Sequence, residues 1–199
     1  MRPLIIGIAG GTASGKSTVA GLVADELGYR CLHLVHDRYY RTLPERFHDA
    51  PTTYNFDHPD ALETSRMVAD VERLRAGQGT FVPNYDFKAH ARTDEETWVE
   101  PTPILLIEGI LVLADPQLRA LMDHRVFVDA AADIRLIRRI HRDRLHRNRE
   151  PLATIDQYMR TVRPMHDQFV QPSKAYAELV LDGEGQLEAC VAAVLRLVE

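Results

Sequence analysis

The sequence predicts an α/β fold in which helices cover both faces of a parallel sheet. Short apolar runs alternate along the chain with amphipathic segments of helix length, and this alternation is typical of strand–helix–strand units. The first apolar run also passes through a glycine-rich turn into the first helical pattern. At 199 residues, the chain has the length of one domain with a well-formed core. We therefore expect residues 1–199 to form a single domain.

Each element is expected from its apolar pattern. Short apolar runs predict strands at 4–9, 30–35, 104–107, 126–129 and 179–181. Amphipathic patterns predict helices at 16–27, 59–76, 131–147, 154–170 and 186–198. Residues 39–56 and 80–100 fit neither pattern, and short strand-like runs in the second segment predict a hairpin. Long insertions between core strands often form binding loops, so we expect 80–100 to be a substrate lid.

Composition disfavours several classes of function. The net charge of -5 and the pI near 6 provide no general attraction for nucleic acid or anionic lipid. Cys31 and Cys190 lie in apolar runs without CxxC spacing, which indicates reduced, core-packed thiols. Apolar stretches fall short of the roughly 20 residues of a membrane span. We expect a cytoplasmic protein with no nucleic-acid or membrane partner.

The turn "GGTASGKST" has the spacing of a phosphate-binding loop. Gly10 is followed after four residues by Gly15, Lys16 and Ser17, between a predicted strand and a predicted helix, as the P-loop signature requires. Backbone N–H groups would surround phosphate oxygens, Lys16 would reach the terminal phosphates, and Ser17 would offer its hydroxyl to Mg²⁺. A simple glycine turn explains neither the lysine nor the serine. The expected nucleotide-binding residues of the loop are Gly10, Gly11, Thr12, Ala13, Ser14, Gly15, Lys16, Ser17 and Thr18.

The apolar run "ILLIEG" ends in Glu108, which a parallel sheet would deliver beside the phosphate loop. We expect Glu108 to help hold the metal, directly or through water. A solvated carboxylate at a strand end is the alternative. The chain carries no NKxD-type motif, which disfavours a regulatory GTPase.

The run "LHLVHDRYY" ends a predicted strand at Val35 and then presents Asp37. Ligands of an open parallel sheet bind at the carboxyl ends of its strands, so Asp37 should lie next to the phosphate loop. There it could accept a proton from an attacking hydroxyl, a contribution of roughly 10²- to 10⁴-fold in rate. A turn stabilised by the Asp37 side chain is the alternative.

Seven segments in order, from about residue 4 to about residue 181, resemble the uridine-cytidine kinases of the phosphoribulokinase and uridine kinase family. They are "GGTASGKST", "HDRYY", "YNFDHPDA", "PNYDFKAHAR", "IEGILVL", "VFVDAAADIRLIRRIHRDRLHRNR" and "QYMRTVRPMHDQFVQPSKAYAELVL". The resemblance implies a three-layer P-loop NTPase fold with a five-stranded parallel sheet, a β-hairpin substrate lid and an arginine-rich lid at 135–153. It also implies a homotetramer that transfers phosphate from ATP or GTP to the 5'-hydroxyl of uridine or cytidine in pyrimidine salvage.

The resemblance further implies roles for individual residues. The catalytic residues are Asp37, Lys16, Arg139 and Arg142. Tyr39 and Tyr40 occupy the aromatic position beside the base, and Asp57 holds the ribose hydroxyls. The hairpin residues that bind the pyrimidine are Tyr85, Phe87 and His90. The lid and substrate positions are Arg139, Arg142, Arg147, Arg149 and Gln157, with Arg142 and Arg147 on the nucleotide.

Two side chains have a chemical rationale for these roles. Asp57 can accept bonds from both ribose hydroxyls, so a missing 2'-hydroxyl would leave it under-satisfied and ribonucleosides should be preferred; a helix cap before Pro59 is the alternative. Neutral His90 has one donor and one acceptor nitrogen, so both uracil and cytosine should be accepted. For the segment "NYDFKAHAR" as a whole, the alternative is a surface turn with a half-buried Tyr85. The sequence leaves open the roles of Lys88 and Arg92 in this segment.

Arginines form a stripe on the fourth predicted helix. One arc carries Arg135, Arg138, Arg139, Arg142 and Arg149, roughly opposite Leu136, Ile137 and Ile140. We expect the apolar side to be buried and the guanidinium groups to face the transferring phosphoryl group. A solvated face with salt bridges to Asp133 or Asp143 is the alternative.

The chain departs from the family pattern at two places. "RNR" replaces RGR at 147–149, where asparagine tolerates positive φ and can keep the backbone conformation. "LDGEG" replaces a PRGG-like end and removes a positive charge near the donor base, so ATP against GTP stays open. Two rival functions remain: a related kinase acting on pantothenate or ribulose 5-phosphate, and a nucleotide-binding regulator, which would need no base at Asp37.

Overall fold

The computed structural model describes residues 2–199. Its strands are β1 Leu4–Gly10, β2 Cys31–Val35, β3 Thr80–Asp86, β4 Ala91–Val99, β5 Ile104–Glu108, β6 His124–Asp129 and β7 Leu179–Asp182. Five of them form a parallel sheet in the order β2–β5–β1–β6–β7. The other two, β3 and β4, pair antiparallel as the expected hairpin.

The longer helices are α1 Lys16–Leu27, α2 Thr64–Arg75, α3 Pro116–Leu121, α4 Ala132–Arg147, α5 Pro151–Gln157 and α8 Leu187–Leu195. Two short helices, α6 Arg163–Met165 and α7 Gln171–Ser173, continue α5 through π-helical segments at Tyr158–Val162 and His166–Val170. Both π-helical segments precede a proline, Pro164 or Pro172. Proline has no N–H to donate and its ring crowds the preceding turn, and a wider turn accommodates it.

Two apolar clusters on opposite faces of the sheet make the fold three-layered. Successive residues of β1 point to opposite faces, so Ile5 joins the cluster that contains Met67 and Leu74 of α2. Ile6 joins the other cluster, which contains Val23 of α1. The strands are apolar on both faces, as expected for a sheet covered by helices on each side. The predicted α/β, P-loop-type architecture is thereby confirmed.

One predicted helix begins later than expected, and one helix was not predicted. The predicted helix 59–76 begins only at Thr64, because Pro59–Ala61 forms a separate 3₁₀ turn and Leu62 bridges to Tyr40 in extended conformation. Helix α3 was not predicted, although its sequence carries the signals for one. Asp115 caps it by accepting from the Leu118 N–H at 2.8 Å, and Pro116 occupies its first turn.

The register of the sheet gathers the carboxyl ends of three strands. Glu108 at the end of β5 lies opposite Val35 of β2 and Ile8 of β1. The glycine-rich loop follows β1, and Asp37 follows β2 in a 3₁₀ turn, His36–Tyr39. These three segments therefore meet at one edge of the sheet. Among residues 2–199, the helices are too short or too polar to cross a lipid bilayer.

Candidate active site

A cavity of about 890 Å³ opens where these strands end. It lies over Lys16 and Ser17 of the phosphate loop. The acceptor-side and lid residues singled out in the sequence all line it: Asp37, Tyr40, Asp57, Tyr85, Phe87, His90, Arg139, Arg142, Arg147, Arg149 and Gln157. The fold thus collects in one place residues that are more than 100 positions apart in the chain.

The phosphate loop has the backbone that the sequence predicts. Gly15 stands immediately before α1 with φ 102°, in a region that side chains disfavour. A Cβ at Gly10 would come within 2.5 Å of the Val128 carbonyl oxygen, so this turn requires glycine. The N–H groups that begin α1 are therefore free to meet an anion at the helix N-terminus.

A second cavity, of about 410 Å³, lies on the other side of the loop. It shares Lys16, Ser17 and Arg142 with the first cavity. Arg138 lines it and donates from Nη1 to the Gly183 carbonyl at 2.8 Å. This guanidinium supplies positive charge next to the "LDGEG" segment, where the sequence had suggested that positive charge was lost.

Ser17 and Glu108 form a pair of oxygen ligands beside Lys16. The Ser17 hydroxyl lies 3.1 Å from both carboxylate oxygens of Glu108, and Lys16 Nζ lies 3.9 Å from one of them. Glu108 is buried, which excludes the alternative of a solvated strand end. Burial raises the pKa of the Glu108 carboxyl, although Lys16 acts in the opposite direction.

These groups fit Mg²⁺. A hydroxyl and one carboxylate are hard oxygen donors, and Mg²⁺ at nucleotides is usually held by one or two protein groups together with phosphates and water. Within residues 2–199, no cluster of three or more His, Cys, Asp or Glu side chains could hold a metal by itself. The site therefore suits a metal that arrives with phosphate oxygens.

Asp37 faces the main cavity from the turn after β2. Among the described residues, no group donates a hydrogen bond to its carboxylate, so the side chain does not build the turn. The preceding His36 instead anchors the turn to the core, because it is buried and its Nε2 lies 3.1 Å from Thr64 Oγ1. Burial lowers the pKa of His36 to about 4, so its imidazole is neutral. Asp37 remains available to a ligand.

Asp57 lies across the cavity from Asp37. It is 9% exposed, and burial raises the pKa of its carboxyl while the Arg139 guanidinium lowers it. The cap of the next turn is His58, whose Nδ1 accepts from the Asp60 N–H at 3.1 Å. The helix-cap alternative for Asp57 is therefore wrong.

Aromatic rings from the hairpin and from residues 39–56 form one wall of the cavity. Tyr85 packs on Tyr40 at 5.5 Å between ring centroids and on Phe87 at 5.1 Å. His90 stacks on Phe56 at 5.1 Å with 29° between the planes. Tyr85 is only 9% exposed, so the alternative of a surface turn with a half-buried Tyr85 is wrong.

Two details of this wall bear on its chemistry. Burial lowers the pKa of His90, and the Arg149 and Arg147 guanidinium groups lower it further, so the imidazole is neutral near pH 7. Tyr39 lies elsewhere: it is fully buried and its hydroxyl donates to Asp70 at 2.9 Å. Tyr40 alone of the two tyrosines lines the cavity.

Helix α4 turns the guanidinium groups of Arg139 and Arg142 toward the cavity, but the predicted burial of its apolar side is wrong at Ile137. Arg135 and Arg139 are buried, whereas the apolar Ile137 is 52% exposed. The helix covers the cavity, so its charged face points inward to polar groups, and Arg139 donates to Thr12 Oγ1 at 3.1 Å and to Gln157 Oε1 at 3.0 Å. Apolar patterning alone misplaces Ile137 because it does not show that a ligand-binding interior is polar.

The fully buried Asp143 organises the arginine cluster. Its carboxylate accepts a hydrogen bond from Arg142 at 2.9 Å. It also lies within 4 Å of three further guanidinium groups, at 3.7 Å from Arg139, 3.6 Å from Arg147 and 3.8 Å from Arg149. The arginines thus pair with Asp143 and also line the cavity. Asn148, the C-cap of α4, has φ 49°, as the replacement of glycine by asparagine predicts.

Sequence reasoning missed two arginines that attach the hairpin. Arg38, next to Asp37, donates from Nε to the Pro83 carbonyl at 2.9 Å and from Nη2 to Thr97 Oγ1 at 2.9 Å. Arg92 donates from β4 to the carbonyls of Tyr39 and Tyr40. Its role, open in the sequence, is therefore not that of a solvated side chain. The sequence feature that could have indicated a role for Arg92 is its place in a strand pattern that is otherwise rich in acidic residues.

Comparison with known proteins identifies relatives over most of the chain. The family model of the phosphoribulokinase / uridine kinase family matches residues 5–187. A uridine kinase of Chloroflexus aurantiacus is 42% identical over 198 residues, covering 99% of this chain and 95% of the relative. A uridine kinase of Clostridium perfringens is 39% identical over 191 residues, covering 96% and 92%.

A solved structure supports the fold independently. Phosphoribulokinase from Rhodobacter spheroides superposes with a TM-score of 0.62 at 15% identity, covering 92% of this chain and 73% of that one. Identity this low concerns the fold alone. The family match over most of the chain and the relatives near 40% identity go further: this chain belongs to the phosphoribulokinase and uridine kinase family.

Proposed function

We propose that this chain is a nucleoside kinase that transfers a phosphoryl group from ATP or GTP to the 5'-hydroxyl of uridine and cytidine, forming UMP and CMP in pyrimidine salvage. One observation carries the proposal: a single cavity joins the phosphate loop, the free carboxylate of Asp37 and an aromatic wall with His90. Relatives of about 40% identity named uridine kinase support the acceptor.

The donor nucleotide occupies the smaller cavity, with its phosphates in the loop. Lys16 contacts the terminal phosphates, and Arg139 and Arg142 approach the transferring group from α4. These cations match the charge that spreads over the equatorial oxygens in phosphoryl transfer. Ser17 and Glu108 would hold Mg²⁺, which would supply positive charge to the phosphates of the donor when bound.

The acceptor lies in the larger cavity. Asp57 accepts hydrogen bonds from the ribose hydroxyls, and Asp37 accepts the proton of the 5'-hydroxyl as its oxygen bonds to the γ-phosphorus. The bond from that phosphorus to the bridging oxygen breaks at the same time, and ADP or GDP leaves. The hairpin at 80–100 and the arginine-rich segment at 135–153 act as lids that exclude water, which would otherwise compete with the nucleoside.

Tyr85, Phe87 and His90 select the base. The aromatic rings pack against a pyrimidine, and the neutral imidazole presents a donor to the uracil carbonyl or an acceptor to the cytosine amino group. Arg149 and Gln157, which are hydrogen-bonded to each other at 3.0 Å, border the same end of the cavity.

A nucleoside panel with coupled ADP detection tests the proposal. Uridine and cytidine should support turnover, and deoxyuridine should be a much poorer substrate because Asp57 loses a partner. Turnover with ribulose 5-phosphate or pantothenate would instead identify a related kinase, and slow hydrolysis without an acceptor would identify a regulator. In Asp37→Asn, kcat should fall by roughly 10²- to 10⁴-fold, and full turnover would remove Asp37 as the base.

We also propose a cytoplasmic homotetramer. The resemblance to the uridine kinases of the family supports this assembly. Light scattering on the purified chain measures the assembly directly, and a monomer would contradict this part of the proposal.

A further inference from the structure

Arg92 connects the hairpin to the segment that begins with Asp37. It lies in β4 opposite Tyr85. Its Nε donates to the Tyr40 carbonyl at 2.9 Å, and its Nη2 donates to the Tyr39 carbonyl at 2.9 Å. Its remaining nitrogen pairs with Glu63, whose backbone N–H also donates to the Tyr39 carbonyl at 2.9 Å. Each of the three guanidinium nitrogens of Arg92 therefore donates a hydrogen bond.

Main-chain contacts extend this connection to the hairpin tip. The Leu43 N–H donates to the His90 carbonyl at 2.8 Å, and the Arg92 N–H donates to Thr42 Oγ1 at 3.1 Å. His90 has φ 52°, a conformation that side chains adopt at some cost. The bond to its carbonyl helps to hold it there, so the hairpin tip and residues 39–43 form one hydrogen-bonded unit.

We propose that Arg92 is a positioning residue that couples the seating of the pyrimidine ring to the placement of Asp37; this inference rests on the proposed nucleoside kinase function. Of the two carbonyls that Arg92 holds, that of Tyr39 ends the turn that contains Asp37, and that of Tyr40 belongs to the residue that caps it. The Tyr40 side chain lines the cavity and packs on Tyr85 of the hairpin. A base that moves the hairpin therefore moves the turn that carries the catalytic carboxylate.

The three hydrogen bonds of the Arg92 side chain require an arginine. Its side chain is 21% exposed, and charged donors in such places form hydrogen bonds about twice as strong as neutral ones. Reaching two successive carbonyls and a carboxylate takes a planar fork of donors in fixed directions, which the point charge of lysine does not provide. Lysine at this position should keep the charge and lose the coupling.

Steady-state kinetics with uridine tests the coupling in Arg92→Ala and Arg92→Lys. We expect KM for uridine to rise and kcat to fall in Arg92→Ala, with kcat/KM lower by about tenfold or more, while KM for ATP changes little. The matched control is Arg66→Ala. Arg66 also ties the hairpin to the core, through Glu96 and the Phe81 carbonyl, but at the stem of the hairpin.

The controls separate coupling from simple stability. If Arg92→Ala and Arg66→Ala lose Tm and kcat/KM equally, Arg92 is a structural contact and the proposal is overturned. If Arg92→Ala does not fold, Arg92→Lys decides: wild-type kinetics there overturn the proposal, and impaired uridine kinetics at unchanged Tm support it. Absence of uridine turnover in the wild-type chain would contradict the proposed function itself, whereas wild-type turnover with unimpaired Arg92 variants contradicts this inference alone.

Discussion

In the proposed function His90 reads the pyrimidine, and its protonation state then sets what it can recognise. The side chain is partly buried against Phe56, and the Arg149 and Arg147 charges add to the effect of burial in lowering the pKa of the imidazole below its ordinary 6.5. Above this lowered pKa the ring has one donor and one acceptor. Below it the ring has two donors and no acceptor.

This titration predicts a pH-dependent choice between substrates. As the pH falls below 6.5 and through the lowered pKa of His90, kcat/KM for cytidine should fall relative to that for uridine. The reason is that protonated His90 cannot accept from the cytosine amino group but can still donate to the uracil carbonyl. Competition assays at a series of pH values measure the ratio. His90→Gln, which keeps an acceptor and does not titrate, should flatten it, and an equal slope in both proteins would contradict the assignment.

Asp57, the proposed ribose-binding residue, carries a cost in stability. Burial raises the pKa of its carboxyl above the ordinary 3.8, so the folded state favours the protonated form. Ionisation therefore opposes folding above that ordinary value, and the penalty disappears as the pH falls below it. At pH 7 the Asp57 carboxylate therefore lowers the free energy of unfolding of the protein without substrate.

Replacement of Asp57 by Asn should separate these effects. We expect kcat/KM for uridine to fall because the amide cannot accept bonds from both ribose hydroxyls. The Tm at pH 7 should rise, since burying the uncharged amide costs less than burying the carboxylate. The gain should shrink toward pH 4. A lower Tm at pH 7 would show that Arg139 outweighs the effect of burial.

At the scale of elements, the parallel sheet and the hairpin were predictable, whereas the exposure of Ile137 on α4 was not. Strands such as β1 are apolar on both faces, and no other arrangement buries them. Helix α4 buries Arg139 and exposes Ile137, because its inner face meets a ligand site. Amphipathic periodicity identifies a face but not whether the partner of that face is core, substrate or another subunit.

The same helix leads to a prediction for Asp143. This buried carboxylate has four guanidinium groups within 4 Å, so Asp143→Asn leaves those arginines without a shared partner. We expect them to repel and the segment to lose its order, with KM for ATP raised and kcat lowered by about tenfold, partly restored by salt that screens the repulsion. The exposed Asp133 lies on the same helix.

Asp133→Asn is the control, since it changes the net charge by the same amount without touching the cluster. Kinetic constants for ATP, measured at low and moderate salt, distinguish the two variants. If both behave alike, the arginines do not depend on Asp143 for their arrangement.

At the scale of the whole molecule, the phosphate loop separates two cavities that share Lys16, Ser17 and Arg142. The P-loop motif and the parallel sheet predict the loop and the edge of the sheet where it lies. The walls could not be predicted in the same way, because Arg38 and Arg92 act through backbone carbonyls distant in sequence. A carbonyl is present at every residue, so the sequence does not single out which ones accept.

The shared residues predict that one molecule can occupy both cavities. Uridine joined 5' to 5' with adenosine through a tetraphosphate should bind more tightly than either nucleoside alone, since linkage makes the second binding event intramolecular. It should inhibit competitively against both uridine and ATP. The diphosphate-linked analogue is the control, as its linker is too short to seat both bases around the loop. Inhibition competitive with ATP but not with uridine would mean that the two cavities do not meet at the transferred phosphate.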